Sequence, residues 1–140
     1  MFLELTSLLH LTTLLVPIQC VPVSKDIYPK IVILATITSC AWHSTHESVM
    51  ALTVADMMLA TIWGLLDILY AYKFHNWFVL VQVIYLNTVV ALIHRFYETQ
   101  KQTLNRRTYI VNHSLWQILS AAKCVAVALL LQCHPDQISQ

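Results

Sequence analysis

The sequence predicts an all-α transmembrane bundle of about five spanning helices, a single domain over residues 1–140, and three observations carry that expectation. Hydrophobic side chains make up 58% of the 140 residues and charged ones only 11%, where a soluble domain carries roughly a quarter charged. The mean hydropathy is +0.64. The apolar residues also fall into runs near the length of about 20 that crosses a bilayer. A formal net charge of +1, without a basic block or acidic tail, excludes nucleic-acid binding by field alone. The four cysteines are far apart with no Cys-x-x-Cys pair, so they read as buried small hydrophobes, not a disulfide or zinc framework.

The apolar runs place helices at about 2–20, 27–43, 47–72, 76–96 and 108–132. The first has Glu4 and no Lys or Arg in its leading region, which makes it a retained helix and not a secretory signal. Pro17 and Pro22 punctuate its end, and Pro29 is expected in the first turn of the second helix, where a missing N–H is tolerated. Ser44, Thr45, His46, Glu47 has the form of a capping box ahead of the third helix. The turn from Lys73 to Asn76 is surrounded by Tyr70, Tyr72, Phe74 and Trp77, the composition of an interfacial aromatic belt. The only longer polar loop runs from Arg95 to Arg107, and its Arg106 and Arg107 are candidates for lipid headgroups or simple interface markers.

Ionisable residues inside a span cost about 2.5–3.5 kcal/mol on insertion scales, so each needs a partner or a role. Ser39 and His43 are four apart and share a helix face. Asp56 and Asp67 are eleven apart, close to three turns, and share an inward face with Ala60 and Trp63. On the last helix His113, Gln117, Ser120 and Cys124 form one stripe, with Lys123 in the same span. The third and fifth helices run parallel. With Asp56 level with His113, Asp67 and Lys123 come level about 15 Å further on, and they are predicted to pair as a structural ion pair. His10, His75, His94 and His134 read as hydrogen-bonded or interfacial, and Trp63 and Trp116 as core.

A Ser-x-x-x-His on the second helix (Ser39, His43), an Asp on the third (Asp56) and the stretch Asn112 to Gln117 opening the last helix resemble the CREST superfamily of membrane hydrolases. That group includes alkaline ceramidases, adiponectin-receptor-like proteins and the branch containing myomaker. The resemblance implies His43 and His113 as zinc ligands, with Ser39 and Asp56 supporting the site and its water. Two departures bear on this. Gln117 stands where the family has a second histidine, and an amide oxygen is a poor zinc ligand beside imidazole; either the metal is lost or Asp56 or His46 replaces the missing ligand. The chain also has five predicted helices where the family has seven.

The expected function is therefore a non-catalytic integral membrane protein on a degenerate CREST-like scaffold, an accessory or structural subunit of a larger membrane complex. It would have lipids and other membrane subunits as partners and no cofactor. The alternative is a zinc-dependent lipid amidase in which His43 and His113 hold the metal, Asp56 is the general base and Ser39 orients the water or oxyanion. The expected location is an organellar membrane, the mitochondrial inner membrane and the endoplasmic reticulum or Golgi being equally compatible.

Overall fold

A computed structural model describes residues 2–16, 24–45, 47–73, 76–99 and 105–131. These residues form five helices and no strand. Helix α1 (Phe2–Leu8) continues as a 3₁₀ segment (Leu9–Leu15), and α2 (Ser24–Ser44), α3 (Met50–Lys73), α4 (Trp77–Thr99) and α5 (Arg106–Leu130) follow. Each helix packs on the next, and α1 with its 3₁₀ extension closes the ring by lying against both α2 and α5. Three segments, Met50–Lys73, Trp77–Tyr97 and Arg106–Leu130, are long and apolar enough to cross a membrane.

The first helix differs from the expected 2–20. It is α-helical for only seven residues and then tightens to 3₁₀, giving a length of roughly 25 Å against a hydrocarbon thickness of about 30 Å. A local signal accompanies the change: Thr12 Oγ1 bonds back to Leu9 O at 2.6 Å, and Val16, next to Pro17, turns extended at φ −108, ψ 98 as residues before proline do. Helix α2 starts at Ser24, so Pro29 lies in its second turn, not its first.

The capping box does not form. Helix α2 ends at Ser44, and Glu47 adopts φ 60, a left-handed conformation that costs a non-glycine residue about 1–3 kcal/mol. Its carboxylate turns to His43 and Tyr109 instead of the chain preceding α3. The aromatic belt is also only partial: Tyr72 and Trp77 are exposed, but Tyr70 is buried against Tyr28, and Phe74 lies outside the described residues. Of the cysteines, Cys124 is buried and Cys40 half-buried, while Cys20 and Cys133 lie outside the described residues.

Helix α5 begins at Asn105, whose Oδ1 accepts from the Thr108 N–H at 2.9 Å, and Asn76 caps α4 through the N–H groups of Phe78 and Val79. Removing the α5 cap with Asn105→Ala is expected to cost about 1 kcal/mol. Asn105→Asp should keep the cap, and thermal unfolding in detergent checks both.

The two ends of the bundle differ in chemistry. At the end that carries the α3–α4 turn, Tyr28, Val32, Trp63, Tyr70, Val83 and Val127 pack with their neighbours into an apolar core. Large apolar side chains such as Ile37, Met58, Leu65, Val81, Leu92 and Leu119 face outward, as in a surface solvated by lipid. Hydroxyls in this apolar setting satisfy themselves on their own helices, Thr36 on Val32 O and Thr88 on Ile84 O, both at 2.8 Å. The opposite end is polar, and the site lies there.

Candidate functional site

The last turn of α2, the α2–α3 turn and the first three turns of α5 converge at the polar end. His43, Tyr109, His113 and Gln117 are all buried. The Tyr109 hydroxyl donates to the Glu47 carboxylate at 2.8 Å. Glu47 Oε1 lies 3.1 Å from His43 Nδ1, and His43 Nε2 lies 2.7 Å from Gln117 Nε2. An amide nitrogen only donates, so His43 accepts at Nε2 and carries its proton on Nδ1, toward Glu47. The Gln117 amide also donates to Ser7 Oγ at 2.8 Å, and its oxygen accepts from Thr6. One side chain thereby ties α1, α2 and α5 together. His10 extends the network, meeting Ser7 O at 3.0 Å and Ser120 Oγ at 3.1 Å.

Ser39 lies 3.2 Å from Ser7, and Asp56 is near it on α3. Ser39 and Asp56 line a cavity of about 500 Å³ whose wall includes Asn87, His94, Ser120 and Lys123 among apolar side chains. Met57, Thr61, Leu65 and Ala91 are exposed lining residues, so the cavity opens between α3 and α4. Neither His43, Glu47, His113 nor Gln117 lines it. Trp42 and Trp116 touch both groups: both border the cavity, the tilted Trp42 ring lies 4.7 Å from that of His43, and Trp116 lies 5.2 Å from His113.

The residues that the family resemblance singles out are thus divided. Ser39 and Asp56 line the cavity, whereas His43 and His113, with ring centroids 4.9 Å apart, do not, though His43 is near enough to Asp56 to act on its charge. Zinc as the family holds it does not fit residue 117, because its amide is engaged by Thr6, Ser7 and His43. A different donor set does fit a metal: one atom each from His43, Glu47 and His113, all within 4.8 Å of one another. His46, a sequence candidate for the replacement ligand, lies outside the described residues.

Lys123 and Asp67 meet deeper in the bundle, Nζ to Oδ2 at 3.1 Å. Asp67 also accepts from Tyr28 at 2.8 Å, Lys123 donates to Asn87 at 3.1 Å, and Trp63 donates to Tyr28 at 2.8 Å. The ammonium stands 5.7 Å from the Trp63 ring, within cation–π range. The only glycine, Gly64, makes room for Asn87: a Cβ there would lie 3.1 Å from Asn87 Oδ1. Arg106 and Arg107 are exposed on the first turn of α5. His75 and His134 lie outside the described residues.

Three functional residues escape the sequence reading. Glu47 is hidden by its capping-box pattern, although it stands four residues from His43. Tyr109 stands four before His113, on the same stripe. Asn87 is an amide in the middle of an apolar run, the kind of residue that needs a partner in hydrocarbon.

The fold and the site together define a helical bundle of membrane type with a buried histidine and carboxylate cluster. No family model, curated protein or solved structure matches the chain.

Proposed function

We propose that the chain is an integral membrane protein on a degenerate CREST-like scaffold, acting without catalysis as a structural or accessory subunit of a larger membrane assembly. The observation that supports it best is the separation of the two halves of a hydrolase site. Such a site needs its metal ligands and its carboxylate to share the space that substrate enters. Here Ser39 and Asp56 border the cavity, while His43, His113 and Gln117 lie outside its lining, and Trp42 and Trp116 touch both the cavity and the histidines. Gln117 serves as a cross-link between helices. The apolar outer faces suit association with lipids and other membrane subunits, which in bilayers depends on van der Waals packing and interhelical hydrogen bonds. Arg106 and Arg107 sit where the helix dipole disfavours cations, a cost that contact with anionic headgroups offsets.

The second reading, a lipid amidase using His43, His113 and Asp56, is favoured by the cavity, which Ser39 and Asp56 both line. Isolation of the tagged chain from its native membrane separates the two. The accessory reading expects a partner at fixed stoichiometry, kept in Asp56→Asn and lost when outward residues such as Ile37 or Leu119 are made polar. It also expects no release of fatty acid from acyl-amide lipids. Turnover abolished by Asp56→Asn would overturn it.

A further inference from the structure

We infer that His43, Glu47 and His113 form a metal site for a zinc-like divalent ion, with Glu47 supplying the ligand that Gln117 cannot. This does not depend on the accessory-subunit reading, since it concerns only what the polar end of the bundle binds. The resemblance to membrane hydrolases offers residue 117 as a ligand, with Asp56 or His46 as a replacement, and does not offer Glu47. Glu47 comes from the geometry.

The donor set is the first argument. Two imidazoles and one carboxylate suit zinc and its neighbours, which bind nitrogen and carboxylate oxygen at about 2.0–2.2 Å. A tetrahedral ion with bonds of that length spaces its ligand atoms by roughly 3.4 Å. His43 Nδ1 and Glu47 Oε1 are already 3.1 Å apart, and the atoms of all three residues lie within 4.8 Å. Side-chain adjustments of the order of 1 Å would close the set, with solvent completing the coordination.

The second argument is the backbone. Glu47 holds a left-handed φ of 60 that its side chain does not favour, and strain of this kind concentrates where a side chain is aimed at a functional target. The conformation directs the carboxylate back over the end of α2, between His43 and Tyr109.

The third argument is the surrounding hydrogen bonds, which match what ligand residues need. Metal-bound histidines donate their second ring N–H to an acceptor, and bound carboxylates are themselves hydrogen-bonded. Tyr109 donates to Glu47 at 2.8 Å. Gln117 stands 2.7 Å from His43 Nε2. When His43 gives up its Nδ1 proton, the tautomer with the proton on Nε2 requires an acceptor there, and a half-turn of the Gln117 amide presents its oxygen. Gln117 is thus a positioning residue in this site and not a ligand. Trp42 and Trp116 border the cluster on the side of the cavity.

The test uses the purified full chain in detergent, stripped with a chelator and titrated with cobalt(II), then with zinc in competition. Expected are one cobalt per chain, visible absorption of a low-coordinate site without a thiolate band, and a rise in unfolding temperature on loading. Glu47→Gln should lose stoichiometric binding, whereas Gln117→Ala should weaken it about 10–100-fold and keep the stoichiometry. Asp56→Asn, on the cavity side, should leave binding unchanged. X-ray absorption at the zinc edge of the wild type reads imidazole and oxygen donors without sulfur, so the assignment stays testable even where Glu47→Gln does not fold. Three results would overturn it: a wild type that takes up neither metal, full occupancy in Glu47→Gln, or loss of metal in Asp56→Asn as large as in Glu47→Gln. The first would leave the accessory-subunit reading untouched.

Discussion

Lys123→Met alone is expected to destabilise the bundle by about 3–5 kcal/mol, because it leaves an unpaired carboxylate where none of the residue's surface reaches solvent. Asp67 would keep the Tyr28 hydroxyl at 2.8 Å, but no cation. Asp67→Leu should do less harm, since Lys123 retains Asn87 at 3.1 Å and the face of Trp63. The double variant, Asp67→Leu with Lys123→Met, should recover most of the loss. Two charges removed together also remove the cost of holding them out of water, and well-packed apolar replacements of buried ion pairs are often neutral or better. Unfolding of the four proteins in mixed detergent gives the cycle directly. Damage in the double variant equal to the sum of the two singles would show that the pair contributes no coupling.

The second large effect is expected at Gln117. Gln117→Leu keeps much of the volume but removes the partner of His43 Nε2, Ser7 and Thr6 at once. Removing one side of a buried hydrogen bond costs about 1–3 kcal/mol. Hydrogen bonds between membrane helices average nearer about 0.6 kcal/mol, because the separated helices find other partners. Three bonds together then give about 2–3 kcal/mol. The loss should appear first as faster hydrogen exchange in α1, which meets α5 through this side chain and through His10. A change below about 0.5 kcal/mol, the scale of a neutral surface substitution, would mean that the amide does not join the helices.

The clarity of these residues in the sequence depended on how far apart their causes lay. The Asp67–Lys123 level follows from helix rise alone: both helices are straight runs entered from the same side, so counting residues measures depth. The stripe His113, Gln117, Ser120 is equally a matter of period. Glu47 could not be read that way. Its Ser-x-x-Glu context has a local explanation, capping, and what defeats it is a left-handed residue after the end of α2. The loss of α-helix after Leu8 had a local signal, threonines and a following proline, but the contact that holds the 3₁₀ segment, His10 on Ser120, spans 110 residues. Tyr70 was read as interfacial from composition, and its burial depends on Tyr28, thirty-nine residues away from Asp67 in sequence and bonded to it.

By itself, the sequence determined the class of this protein: apolar runs, one glycine and few charges leave helices as the elements that satisfy their own backbone in hydrocarbon. It also determined which residues share a face, since helical period is a local property. Tertiary structure alone decided which faces meet. The closing of the ring by α1, the packing of Trp116 against His113 beside Trp42, and the contact of Glu47 with Tyr109 all arise from where the helices meet. Their energies depend on which partners are near and on how much water or lipid is excluded, and no local pattern encodes those.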